Sequence, residues 1–230
     1  MSADTEKIRT PALLAALLLT LLLSGCVIGT GVTHTVKKGE TLWRISRTYD
    51  VDLQDLAETN GIKDPTDIKA GMRLYIPGAR RVKKVPPYRP SSKSSSKYEG
   101  SGKIEMHRGM FDWPVKGPVS SNFGPRNGVR HDGIDIRAPE GTPIKAAGKG
   151  KVVFVDTHMR GYGRIIIIKH PGDYYTVYAH NKENDVKRGD TVERGQVIGR
   201  VGDSGNADGC HLHFEVRRGK KMRNPLFFLP

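Results

Sequence analysis

The rhythm of apolar and polar positions changes three times along this chain. Between Ala12 and Leu23 every residue but Thr20 is apolar. That run is short for a bilayer-spanning helix and has the length of a signal-peptide hydrophobic region. From Thr33 to Pro77 the pattern becomes short and mixed. His34-Thr35-Val36 alternates as a strand, and Thr41 can cap a helix carrying Leu42, Ile45 and Tyr49. Leu53 to Thr59 makes a second helix, and Arg73 to Pro77 a closing strand. The predicted order for this small α+β unit is β-α-α-β. Beyond Met110 the runs are of strand length: Lys151 to Val155, Arg164 to Lys169, Tyr174 to Tyr178, Val197 to Val201 and His211 to Arg217. Gly-bearing turns separate them and no amphipathic helix intervenes, which predicts an all-β domain with antiparallel connections.

Between the two units, residues 79–108 hold nine Lys or Arg against two Glu, a Ser/Lys tract and several Pro and Gly. So few apolar residues cannot order a segment, and the composition predicts a basic disordered linker. It carries half of the chain's net charge of +14; the other half lies in residues 109–230. A basic exported protein suits an anionic surface such as lipid headgroups or cell-wall polymer. Nucleic acid is excluded as a partner, because no aromatic-studded basic motif or basic helical face accompanies the charge. Leu23-Ser24-Gly25-Cys26 resembles a bacterial lipobox, which implies that residues 1–25 are a lipoprotein signal peptide and that Cys26 is acylated. Residues 26–32 would then form a lipid-anchored N-terminus. Val27 after the cysteine implies sorting to the outer membrane, facing the periplasm. With Cys26 acylated, Cys210 has no partner for an intrachain disulfide.

The segment 33–78 resembles a LysM domain in Thr35 to Leu42, Ile45-Ser46, Asn60-Gly61-Ile62 and Ala70 to Pro77. The resemblance implies binding of N-acetylglucosamine-containing glycan, above all peptidoglycan, with Gly39, Thr41, Asn60 and Ile62 at the groove. Gly39 and Asn60 equally suit turns. Val36-Lys37-Lys38-Gly39-Glu40-Thr41 recurs as Val186-Lys187-Arg188-Gly189-Asp190-Thr191, a pattern that reads as shared turn chemistry.

His211 and His213 lie two apart and project from one face of a strand, while Leu212 projects from the other. Such a pair is either incidental or half of a metal site. His131 and Asp135 add an imidazole and a carboxylate beside Gly133, which permits a tight bend, and His180 ends an apolar strand. Imidazole and carboxylate both suit zinc. These residues, with Ser121 to Arg126, Ala138 to Pro143, Gly195 to Gly199 and His211 to Glu215, resemble the lysostaphin/LytM zinc endopeptidases, peptidase family M23, over about residues 109–230. The resemblance implies one zinc ion held by His131, Asp135 and His213, with His180 and His211 as unliganded catalytic histidines. Three protein ligands leave a fourth position for a water whose pKa falls toward about 7. His211 takes the proton-handling role and His180 oxyanion support, with the two roles exchangeable. Cys210, by strand alternation, is expected on the opposite face and is no ligand. His34, His107, His158 and His170 read as solvated or structural.

The order of lipobox, LysM unit, basic linker and terminal β domain also resembles the amidase-activator lipoproteins of Gram-negative envelopes. Many of those have lost metal ligands, whereas here every ligand position is filled. The expectation is therefore an envelope lipoprotein that binds peptidoglycan and hydrolyses its peptide cross-links as a zinc metalloendopeptidase. A noncatalytic activator of a cell-wall amidase is the second reading.

Overall fold

The structure is a computed structural model that describes residues 30–87, 103–126 and 129–230. The expected signal peptide, Cys26 and the middle of the expected linker lie outside the described residues.

The small unit opens with β1 (Gly31–Thr35), continues through α1 (Leu42–Tyr49) and α2 (Leu53–Thr59), and closes with β2 (Arg73–Pro77). The strands pair antiparallel, with Thr33 opposite Tyr75. Thr41 caps α1 by accepting from the Arg44 amide, and Asp52 caps α2 by accepting from that of Asp55, so each helix begins where its side-chain acceptor satisfies an otherwise unpaired N–H. Leu42, Ile45, Leu56, Leu74 and Ile76 are fully buried between helices and strands. His34 is structural: its Nδ1 is 3.0 Å from the Tyr49 hydroxyl and its Nε2 is 2.8 Å from Glu40.

The larger domain is built from β3 (Val119–Ser121), β4 (Gly124–Arg126), β5 (Val129–His131), β6 (Ile134–Arg137), β7 (Pro143–Lys145), β8 (Gly150–Met159), β9 (Gly163–His170), β10 (Tyr174–Asn184), β11 (Thr191–Val192), β12 (Val197–Val201), β13 (His211–Arg218) and β14 (Lys221–Arg223). The main sheet runs β11-β8-β9-β10-β13-β6-β3, with β12 joining β10 to β7 and β14 edging β13. Every pairing is antiparallel. In β13 the even positions Leu212, Phe214 and Val216 enter the main core, while His211, His213, Glu215 and Arg217 are buried on the other face. That second face is shared by a smaller apolar cluster of Ile165, Ile167, Val177 and Ala179. A strand buried on both sides, one apolar and one polar, gives the polar residues a fixed platform.

The repeated hexamer folds twice into the same turn. Glu40 N donates to Lys37 O while Lys37 N donates to the Glu40 carboxylate, and Asp190 and Lys187 repeat both bonds. Gly39 and Gly189 supply the positive φ (84° and 101°) that the turn requires.

Both described flanks of the linker differ from the expected disorder. Val85 and Ile104 are buried in the core, the Lys83 amide donates to the Tyr49 hydroxyl at 2.8 Å, and the Glu105 amide donates to Gln54 at 2.8 Å. His107, expected to be solvated or structural, is structural and stacks on Phe228 at 5.3 Å. Val82 stays 61% exposed, but Val85 and Ile104, near the two ends of this stretch, are buried in the core. An average over the whole segment hides them.

The two units are docked. The Glu58 carboxylate, on α2, accepts from Arg223 Nε (3.0 Å) and Nη2 (2.6 Å) and from the Asn224 amide (3.0 Å), and Asn224 Nδ2 donates to Glu58 O (2.9 Å). Lys221 pairs with Asp55 at 2.6 Å. Backbones approach closely at Gly124, where a Cβ would stand 2.7 Å from Thr59 O.

Candidate metal centre

Register brings the predicted site residues together. His213 pairs directly with Asp135 across the β13–β6 ladder, and Ala179 of β10 flanks His213 on the other side. His131 ends β5, four residues before Asp135. Between them Gly133 is required by close approach rather than by its dihedrals: a Cβ there would lie 2.4 Å from Phe214 O. His180 sits at the irregularity in β10 where the strand leaves β13 and takes up β12. Its φ of 63° is unusual for a non-glycine residue. A bulge at this point turns the imidazole toward the site, a common use of bulges beside functional centres.

Three ligand atoms converge. His131 Nε2 is 3.1 Å from Asp135 Oδ1 and 3.2 Å from His213 Nδ1, and His213 Nδ1 is 2.8 Å from Asp135 Oδ1. Zinc bonds of about 2.05 Å at tetrahedral angles place ligand atoms roughly 3.3 Å apart. The three residues therefore fit a zinc ion with only slight spreading. Among the described residues they are also the one His/Cys/Asp/Glu group gathered closely enough to hold a metal.

The hydrogen-bond partners fix which nitrogen faces inward, because carbonyl and carboxylate oxygens can only accept. His131 donates from Nδ1 to Asn122 O (2.8 Å), leaving the Nε2 lone pair for the metal. His213 donates from Nε2 to Glu215 (3.0 Å), leaving Nδ1. His180 and His211 donate from Nδ1 to Ser204 O (2.7 Å) and Gly209 O (2.8 Å). Their rings are 4.9 Å apart beside the cluster, and His211 Nε2 lies 3.7 Å from Asp135 Oδ1. The Ser204 carbonyl is itself held in place by tight packing, since a Cβ on Gly163 would meet Ser204 Oγ at 2.4 Å.

Burial lowers the pKa of His180 to about 4, so it is neutral at pH 7. Burial pushes the Asp135 carboxyl up, but the two histidines outweigh this and hold it well below the ordinary value. Burial likewise raises Glu215, yet Arg217 and His213 hold it at about 2. Glu215 is fully buried and accepts from Arg217 Nε at 2.5 Å and from the Tyr162 hydroxyl at 2.9 Å. The Glu215 charge and burial push the Tyr162 phenol up, which keeps it an O–H donor.

In the sequence Glu215, Arg217 and Tyr162 belong to recognisable motifs or strands but carry no assigned role at the site. The signal was the alternation His211, His213, Glu215, Arg217, which puts four polar side chains on one face of a single strand. Cys210 precedes β13 instead of continuing its alternation, and it lines the same cavity as His211. The alternation used to place it on the opposite face does not apply, though it stays outside the ligand group.

Of the four glycan candidates, three have structural engagements within the small unit and Gly39 shapes an exposed turn. Asn60 Nδ2 donates to Leu56 O and Tyr75 O, each at 2.8 Å, and its Oδ1 accepts from the Tyr75 amide at 2.7 Å. Ile62 is buried, Thr41 caps α1 and Gly39 makes its turn.

Two family models match the chain: peptidase family M23 over residues 129–225 and the LysM domain over residues 34–77. Among curated proteins, the uncharacterized lipoprotein YgeR of Escherichia coli is 38% identical over 100% of this chain and 97% of its own. The lipoprotein NlpD/LppB homolog of Pseudomonas aeruginosa is 32% identical over 86% and 76%. The murein hydrolase activator NlpD of Salmonella typhimurium is 30% identical over 87% and 68%. Two-domain coverage of this kind, with the His/Asp/His group assembled, places the chain: it belongs to peptidase family M23, as a LysM-bearing relative of the NlpD/YgeR lipoproteins.

Proposed function

We propose that this chain is an envelope lipoprotein that holds peptidoglycan through its LysM domain and hydrolyses peptide cross-links at the His131/Asp135/His213 centre. One observation carries the reading: all three ligand atoms and both further histidines are present, converge, and are locked in the tautomers that the chemistry needs. Zinc bound there supplies Lewis acidity toward the peptide carbonyl and makes a water nucleophilic near neutral pH. His180, neutral and accepting at Nε2, orients the attacking water by receiving its hydrogen bond. This departs from the oxyanion role expected for it, because its one N–H is already given to Ser204 O. His211 Nε2 takes the water's proton as the new C–O bond forms, and returns it to the amine nitrogen as the C–N bond breaks. The imidazolium formed in between lies 3.7 Å from Asp135 Oδ1 and 3.9 Å from Asp208. Glu215, Arg217 and Tyr162 keep the His213 ring fixed.

For the LysM domain, the occupied side chains of Asn60 and Thr41 leave glycan recognition to backbone groups of the Gly39 and Gly61 turns. Acylation of Cys26 would tether both domains to the outer membrane, with the basic linker against anionic polymer. The second reading, activation of a cell-wall amidase, is favoured by the name of the Salmonella relative and by the shared two-domain order. Incubating the soluble chain, residues 27–230, with purified peptidoglycan separates the two. The hydrolase reading expects new muropeptides with cut cross-links and no added amidase. Release only when an amidase is supplied would establish the activator reading instead.

A further inference from the structure

Beside the metal-ligand group the sheet opens into a cavity of about 300 Å³, bordered by Ser120, Ser121, Arg126, Arg137, Asp208 and His211. Its chemistry is unlike that of the apolar cluster on the other side of the site. In the β6–β13 ladder Asp135 faces His213, and the next pair on the same face is Arg137 with His211. Directly paired side chains in such a ladder start only about 5 Å apart. The Arg137 stem therefore rises next to the histidine that handles the proton. Arg137 is exposed, and among the described residues its guanidinium makes no hydrogen bond or ion pair.

Arg126 reaches the same cavity from β4. Its Nη1 donates to Ser121 Oγ at 2.7 Å and lies 3.7 Å from Asp135 Oδ2, the oxygen turned away from the histidines. The carboxylate of Asp135 is committed to the ligand group, and that of Asp208 is 94% exposed to water. Two guanidinium groups thus border the cavity together with two carboxylates, of which Asp135 is taken up by the ligand group and Arg126, and Asp208 faces solvent, leaving the Arg137 fork open to an incoming anion. Guanidinium forks match planar anions with two oxygens.

We propose that this cavity binds a carboxylate of the substrate peptide close to the bond that is cut, and that Arg137, assisted by Arg126, selects acidic cross-link peptides over their amidated forms. The inference rests on the hydrolase reading for the bond cut, but the binding it describes can be measured without turnover.

The test uses the zinc-loaded soluble chain and two synthetic cross-link peptides that differ only in a carboxylate against a carboxamide next to the scissile bond. The carboxylate peptide should bind at least about tenfold more tightly, the scale of one charge-assisted hydrogen bond. In Arg137→Gln that preference should vanish, with zinc content equal to wild type. Arg137→Lys, which keeps the charge and loses the fork, should fall between. Equal affinity of wild type for the two peptides, an unchanged preference in Arg137→Gln, or no binding of either peptide would overturn the proposal. Turnover is read separately. A tenfold binding preference with neither peptide cut removes the hydrolase reading and leaves the pocket standing. Both peptides cut with equal kcat/KM removes the pocket and leaves the hydrolase.

Discussion

At the scale of single residues, the site depends on groups that never touch a metal. Glu215 fixes His213 through Nε2, so that only Nδ1 can serve as ligand. Such outer partners typically contribute 10- to 100-fold to metal affinity. Glu215→Gln keeps the shape but loses the charge that Arg217 and His213 both use. It should lower zinc affinity by about 10- to 100-fold in a chelator competition, and an unchanged affinity would show that His213 is held by packing alone. The His131/Asp135/His213 group was legible through the family resemblance, whose motifs set particular residue types at particular spacings. Glu215, Arg217 and Tyr162 were not, because their role arises from a network closed in three dimensions: Tyr162 lies on the turn between β8 and β9 and meets the other two only through the sheet. Asn60 shows the opposite case, since its position in a glycan-binding motif reflects three bonds that close its own domain.

At the scale of elements, the alternation in β13 and the turn chemistry at Gly39 and Gly189 were readable, because a two-residue period and a Lys-x-Gly-acid turn are local properties. The partner switch of β10 at His180 was not, since a bulge depends on which strands lie on each side. The same sheet carries a pH-dependent element. His170 of β9 is buried against Lys149 O and Thr176, and burial lowers its pKa below the ordinary value. The native state therefore binds its proton less readily than the unfolded chain. Its contribution to stability is present above about pH 6.5, the unperturbed value, and is lost as pH falls from there through the lowered folded value. The metal-free chain should lose stability below about pH 6.5, where His180, with its pKa lowered to about 4, adds to the same slope. His170→Gln should lessen that slope, whereas an identical slope would assign the acid sensitivity to other groups.

At the scale of the whole molecule, the second helix of the LysM domain docks on the larger β domain. Nothing local in the sequence sets Glu58 or Arg223 apart from the chain's other charges. Only the assembled chain shows them buried together. Removing one partner of a buried pair leaves the other uncompensated, at a cost of about 3–5 kcal/mol. Arg223→Ala should therefore release the LysM domain and raise the radius of gyration in solution scattering, with each domain still folded. An unchanged scattering profile would mean that Gln54–Glu105, Lys221–Asp55 and the packed linker flanks suffice. The central claim, that the converging histidines and aspartate form a working zinc peptidase, is tested most directly by measuring bound zinc and muropeptide release on the same preparations of wild type, His213→Ala and His211→Ala. Wild type should hold about one zinc per chain and cut cross-links unaided, and His213→Ala should lose both together. His211→Ala should keep its zinc and slow by about 100-fold or more, the usual scale for a general acid or base; zinc-loaded wild type that releases nothing would contradict the account.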